Sequence, residues 1–442
     1  MIRKLLRKLA GFSKTALFQT SLWNGLATLI KIATGLITNK IVAVYLGPSG
    51  IAILGQFGNF TSIANSIANF GITNGITKYI AQFGDDMQER IRFQSTGLRI
   101  TLGATFLTTV TIIAGARYFC TVILQDAAYL PLFYIFSATL FLFSLNAFLI
   151  SVLNGYKEFR KIILINIISS LLGLLITVAL VIYFGLWGAL TGMILSTTLI
   201  AAVSFLFVLN ARWFSFSNFM RPFDPAVLKK LLHYSLMAFT SLFAVSWIQL
   251  MTRTYIINHL SVDEAGYWQG IVKISDIYLL LITSTLSIYY LPRLSEIKDS
   301  KELLREVMQS FLFVIPLTIA LSAGIYLFRA AIIRIIFSES FVPMDPLFLP
   351  QLIGNVLKIA TWLLGIITIA RSMTLVYISF EIVGGVVFYV LTIWFIRQFG
   401  LIGATYSYTF TYFLYFTAFL VLMPKLVRSY DERDIQKSGP QA

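Results

Sequence analysis

The sequence predicts an all-α integral membrane fold of about 12 transmembrane helices, arranged as two six-helix bundles over 18–209 and 231–423. Three observations carry this reading. Apolar runs of about 20 residues, long enough to cross a bilayer as helices, recur along the whole chain. Charged residues make up 12% of it against 58% hydrophobic ones, where a soluble domain is roughly a quarter charged. Lys and Arg are also divided unequally between alternate loops.

Taken in order, the chain opens on "MIRKLLRKLAGFSK", which runs into the first span without a small-residue cleavage site. Residues 1–17 therefore read as a basic cytoplasmic N-terminus and not as a cleaved signal. Spans follow near 18–46, 51–83, 93–116, 129–154, 162–184 and 187–209. After a cytoplasmic linker, 210–230, they continue near 231–257, 265–291, 306–327, 347–370, 373–397 and 400–423, before a tail at 424–442. "LGPSG" separates the first two, because Gly-Pro does not readily continue a helix. The N-terminus, the even-to-odd loops and the tail hold 23 Lys and Arg, in stretches such as "YKEFRK", "RPFDPAVLKK" and "PRLSEIKDSKELLRE". The opposite loops hold four: Arg117, Arg329, Arg334 and Arg397. This bias places both termini in the cytoplasm.

Several function classes are excluded. No loop exceeds about 20 residues, which leaves no room for an extramembrane catalytic domain. There is no GxxxxGK[ST] loop for nucleotide hydrolysis, so an enzyme is not expected. The one cysteine, Cys120, rules out an internal disulfide framework or a multi-cysteine metal site and reads as a buried or lipid-facing thiol. His233 and His259 lie near span ends, too far apart to form a ligand pair by local spacing, and His259 beside Asp263 and Glu264 reads as a solvated loop residue. No cofactor or metal is expected. The net charge of +15 sits in short loops beside apolar spans, not in a stripe on a soluble domain, which argues against a nucleic-acid partner. Trp187 and Trp394 near span ends read as interfacial belts.

An internal repeat relates the halves. "FGLWGA" at 184–189 recurs as "FGLIGA" at 399–404, and the same shift of 215 residues maps Lys78 onto Arg293, Tyr156 onto Arg371 and Asn166 onto Glu381. Six spans return the chain to its starting side, so the repeats are parallel, about an axis along the membrane normal. That is a layout used by alternating-access transporters.

Polar residues inside the spans point to the function. Seven are basic, Lys31, Lys40, Lys78, Arg99, Arg253, Lys273 and Lys358, against two acids, Asp276 and Glu381. At about 3 kcal/mol each, seven cations facing lipid would cost on the order of 20 kcal/mol. Lys40, Lys78, Arg99 and Arg253 lie near span ends, where their stems can snorkel to the interface. Lys31, Lys273 and Lys358 lie deeper.

Helical spacing shows where the deep charges sit. Asn24, Thr28, Lys31, Gly35 and Thr38 trace one face of the first span, and Gln56, Asn59, Ser62, Ser66, Asn69, Thr73 and Thr77 one face of the second. In the corresponding seventh and eighth spans the stripes are Ser246, Gln249 and Arg253, then Gln269, Lys273, Asp276, Thr283 and Ser287. Such faces mark either a water-filled cavity or a helix–helix seam, and their amides and cations favour the cavity. Lys273 and Asp276, at i, i+3, are spaced to pair. Lys31 has no acid within helical reach in its own span. A cationic cavity suits an anionic passenger. Trp268 and Tyr289 are candidates to stack on a sugar ring.

"SLWNGLATLIKIATGLITNKIVAVYLGPSGIAILGQF", "FGITNGITKYIAQ" and "GYWQGIVKISDIYLLLITSTLSIYYLPRLSE" resemble the Wzx-type flippases of lipid-linked oligosaccharides. These belong to the multidrug/oligosaccharidyl-lipid/polysaccharide exporter superfamily. The similarity runs the whole chain and is closest to the flippases of enterobacterial common antigen and O-antigen. It implies a V-shaped, twelve-helix inner-membrane protein that moves an undecaprenyl-pyrophosphate-linked repeat unit to the periplasmic leaflet. It also implies coupling to H+ or Na+, for which Asp276 and Glu381 are the intramembrane acids available. The expected partners are the lipid-linked oligosaccharide, membrane lipid, and the polysaccharide polymerase and chain-length regulator. On this reading the cargo site takes Lys31, Lys273, Lys358, Arg253, Asn24, Asn59, Asn69, Gln249 and Gln269. A multidrug-type exporter of the same superfamily would favour acids over cations in its cavity. A non-transporting assembly component would need no polar face sustained through four corresponding spans.

Overall fold

The computed structural model describes residues 16–297, 299–370 and 373–437. The basic N-terminal stretch, Lys298, Arg371 and the side chains of His233, Ser287 and Tyr289 lie outside the described residues. The described chain is all-α. Its long helices are α1 (Ala16–Ala68), α2 (Thr73–Gln82), α3 (Met87–Ala114), α4 (Leu130–Gly155), α5 (Phe159–Leu209) and α6 (Pro225–His259). They continue as α7 (Val262–Glu296), α8 (Ser300–Leu327), α9 (Phe348–Ala370), α10 (Thr374–Phe399) and α11 (Ile402–Lys437).

Among the described residues, eight helices are long and apolar enough to cross a membrane. Two of them hold two spans each, because α1 is broken at Gly47 (φ 64°, ψ −166°) and α5 at Gly185 (φ 56°, ψ −134°). α6 and α7 are 35 residues each. Counting them gives twelve bilayer-length segments, at the places the apolar runs indicate.

The second span differs from its expected extent. The apolar run continues to 83, but the helix stops at Ala68, turns through Phe70 (φ 51°) and Gly71 (φ 64°), and restarts as α2. Hydropathy misses this break because Ile72, Ile76 and Ile80 beyond it are fully buried. They pack against Phe93 of α3, Phe148 and Val152 of α4, and Val208 of α5.

The backbone supports the repeat. Gly185 and Gly400, 215 residues apart, share a conformation that side chains rarely adopt (φ 56° and 65°). Three residues on, a Cβ on Gly188 would lie 1.8 Å from the Leu180 carbonyl oxygen, and one on Gly403 2.3 Å from that of Phe395, again 215 residues apart. Each "FGLxGA" therefore builds the same turn: one glycine reverses the chain and the next lets it close onto the preceding helix. Gly400→Ala is expected to lower stability by about 1–3 kcal/mol, read as a fall in the melting temperature of the purified protein.

The chain forms two compact units: the described part of 1–46 with Gln56–Ser246, and Gly47–Gly55 with the described part of 247–442. In the first, the linker expected at 210–230 is folded onto the bundle. Trp213 stacks on Tyr156 with ring centroids 4.3 Å apart, and Ser95 donates a hydrogen bond to the Arg221 carbonyl. Asp224 bonds Arg92; desolvation opposes its ionised form, but the Ala226 N–H, Arg92 and the Val227 N–H together hold its carboxyl below the usual range. Cys120 is buried, its thiol against the Asp126 carbonyl at 3.1 Å. In the second unit, Ala52, Tyr255, Ile256, Ala265, Trp268, Ile396 and Ala404 form a tight core. His259 ends α6 and stacks on Tyr255 at 4.0 Å, so it is a helix-terminal residue, not a loop one.

Candidate functional site

In the first unit, α1 leaves two different faces uncovered. Leu26, Leu29, Ala33 and Ile37 form an exposed apolar stripe. On another side, Asn24, Lys31 and Gly35 are exposed, and Thr28 and Thr38 half-buried. Helical spacing separates the two stripes: they share no residue and run parallel up the same segment. Ala27 and Thr34 take the packed face. Thr28 is bonded back to the Asn24 carbonyl at 2.8 Å, so its hydroxyl is satisfied locally.

The second span is less open than its sequence stripe suggests. Gln56 is buried. Asn69 is also buried, its amide donating to the Asn65 carbonyl (2.9 Å) and side-chain oxygen (2.8 Å) at the helix end. Its carbonyl also accepts from the Ile72 N–H at 3.1 Å in the turn that follows. Asn59 is half-buried. Thr77 sits on α2, where it bonds the Ser151 carbonyl at 3.0 Å.

In the second unit, Arg253 does not snorkel. It is fully buried, donates to the Gln269 side-chain oxygen, and lies over the Trp268 ring at 5.4 Å. Trp268 is buried in the unit's core, so it is closed to a sugar. Gly55 makes the room: a Cβ there would meet Gln269 Oε1 at 3.0 Å and Arg253 Cζ at 3.1 Å. Gln269 is buried with its partner, while Gln249 stays half-buried. Lys273, half-buried on α7, is within electrostatic reach of Arg253.

The remaining charges come together. Asp276 of α7 and Glu381 of α10 both lie within electrostatic reach of Lys358, in the middle of α9. The cation acting on Asp276 thus comes from another helix. Lys358 Nζ lies 5.8 Å from the Tyr408 ring centre and 5.7 Å from that of Tyr412, within hydrogen-bonding reach of the latter. Tyr377 serves Glu381 in the same way.

A buried network fixes the helices that carry these groups. Tyr408 donates to Asn355 Oδ1, and Asn355 Nδ2 to Ser275 Oγ, each at 2.8 Å, which ties α11 to α9 and α9 to α7. Tyr415 donates to the Phe380 carbonyl and ties α11 to α10. Sequence reasoning missed these tyrosines. Tyr408, Tyr412 and Tyr415 recur at i, i+4, i+7, a one-face spacing that could have revealed them. Asp276 is exposed, and Lys358 and Glu381 half-buried, so the cluster opens to the surface of its unit.

Residues 17–298 match the family described as polysaccharide biosynthesis protein. Over 402 residues the chain is 30% identical to the lipid III flippase of Escherichia coli (strain K12), covering 91% of this chain and 97% of that one. The lipid III flippase of Shigella flexneri matches to the same extent. In backbone the chain is similar to a multidrug resistance transporter of the MATE family, of the MOP superfamily, in an inward-facing conformation. The TM-score is 0.76 at 15% identity, over 93% of this chain and 100% of the other, a likeness that concerns the fold alone.

Proposed function

The chain belongs to the polysaccharide biosynthesis protein family, and we propose from that premise that it is a flippase of lipid-linked oligosaccharides. Its cargo is an undecaprenyl-pyrophosphate-linked repeat unit of the enterobacterial common antigen or O-antigen kind. It carries the headgroup from the cytoplasmic to the periplasmic leaflet of the bacterial inner membrane, by alternating access of its two halves.

The observation that supports this most directly is the uncovered double face of α1. The apolar stripe through Leu29 and Ile37 suits lipid, and the stripe through Asn24 and Lys31 suits water and an anion. Lys31 would meet the pyrophosphate, and the amides would meet the glycan, while the polyprenyl tail stays in the bilayer. A cation here replaces phosphate hydration without a tight cage, which permits release. Asp276 and Glu381 serve H+ or Na+ coupling. The polysaccharide polymerase and chain-length regulator are the expected downstream partners.

A headgroup-protection assay in proteoliposomes tests this: with the protein present, the headgroup of a fluorescent lipid-linked oligosaccharide should become accessible from the opposite face. No gain over empty liposomes overturns the flippase reading. Topology provides a separate check. Reporters fused after Lys437 and inserted near Glu158 should report cytoplasm, and one at Ser261 periplasm, because the Lys- and Arg-rich loops stay inside. A periplasmic tail would break the twelve-span order.

A further inference from the structure

Resting on that reading, we infer that Lys358 is not a cargo contact but the tethered counter-cation of the coupling site, and that it limits the site to one monovalent cation and excludes divalent ones.

The argument begins with charge. Two carboxylates, Asp276 on α7 and Glu381 on α10, are set into a bundle of low polarity, and Lys358 of α9 acts on both. Among the described residues the other groups acting on them are tyrosines, Tyr377 on α10 and Tyr408 and Tyr415 on α11, with Tyr412 of α11 against Lys358. An ordinary phenol ionises only at about pH 10, so tyrosines add no charge to the count. Two negative charges and one fixed positive charge leave a deficit of one. A single proton or sodium ion makes the cluster neutral. A divalent ion would leave an excess positive charge beside a fixed ammonium, which repels it.

The ammonium is also held in place. Tyr408 and Tyr412 present their rings to it at 5.8 and 5.7 Å, a cation–π arrangement. Tyr408 is anchored through Asn355 to Ser275, next to Asp276 in the chain. Lys358 is thus held against Tyr408, a member of the network that ties together the helices bearing Asp276 and Lys358 itself. That geometry suits a fixed internal ion better than an arm reaching for cargo.

The test measures ion-dependent thermal stabilisation of the purified full-length protein at constant ionic strength, using NaCl, MgCl2 and CaCl2 at several pH values. The wild type should respond to Na+ or to acidification with a Hill coefficient near one and show no saturable response to Mg2+ or Ca2+. Lys358→Met leaves a deficit of two and should gain a divalent response, with apparent affinity raised at least about tenfold. Lys358→Arg should keep the wild-type selectivity. Glu381→Gln with Lys358→Met returns the deficit to one and should lose the divalent response again, which provides a second readout if the single variant folds poorly.

Unchanged ion selectivity in Lys358→Met overturns the inference. So does a wild type that binds divalents, or one that responds to no ion. Headgroup transport is measured separately. A wild type that flips but fails the ion test refutes only the role of Lys358, whereas one that passes the ion test and does not flip refutes only the flippase reading.

Discussion

Lys31→Ala is expected to reach the membrane at near wild-type levels and yet to support no surface polysaccharide in cells that depend on this protein. Lys31 sits near the middle of its span, so its ammonium is roughly 15 Å from either interface, at 1.5 Å per residue. One lysine stem does not reach that far through lipid. The structure places it on an exposed polar stripe with Asn24 and Gly35, apart from the apolar stripe of Leu26, Leu29, Ala33 and Ile37. Removing the cation deletes the anion contact proposed for it and leaves the packed face, Ala27 and Thr34, untouched. Stability should therefore be unchanged or raised. Lys31→Arg should retain part of the activity, because the charge survives while the hydrogen-bond geometry changes. The measurement is surface polysaccharide at matched membrane expression. Normal polysaccharide with Lys31→Ala removes the lysine from the cargo path.

What could be read from the sequence here was local, and what could not was tertiary. The break at "LGPSG" and the paired "FGLxGA" turns were legible because a glycine that must adopt positive φ carries its reason in its own backbone. Lys31 was legible because its stripe lies on one helix. The end of the second span at Ala68 was not, since the isoleucines beyond it are buried in the bundle and look like more membrane. Arg253 was misread as a snorkelling residue because its acceptor, Gln269, and its ring partner, Trp268, come from the next helix, and the gap that admits it comes from Gly55, about 200 residues earlier. The gathering of Asp276, Lys358 and Glu381 needed three helices at once. Spacing within a single span offered Asp276 only Lys273.

Gly55→Val is expected to cause a large loss of folded protein. A Cβ at this position stands 3.0 Å from both Cδ and Oε1 of Gln269 and 3.1 Å from Arg253 Cζ, closer than side chains normally pack. Alanine asks these neighbours to give by a few tenths of an ångström. Valine adds two methyl groups on the same atom and drives the Gln269 carbonyl off the guanidinium. A hydrogen bond to a buried charge is then lost, worth about 1.5–3 kcal/mol, and overpacking adds about 1–3 kcal/mol more. Because Arg253 is fully buried and lies over Trp268, the disturbance passes into the core of Tyr255, Ile256 and Ala404. The pair itself can be separated from the crowding. Arg253→Met replaces a buried cation by an apolar chain of similar length, and such replacements are often neutral or stabilising. Gly55→Val combined with Arg253→Met should therefore recover much of the lost melting temperature. If the double variant is no more stable than Gly55→Val alone, the defect lies in backbone crowding at the glycine and not in the arginine's lost partner.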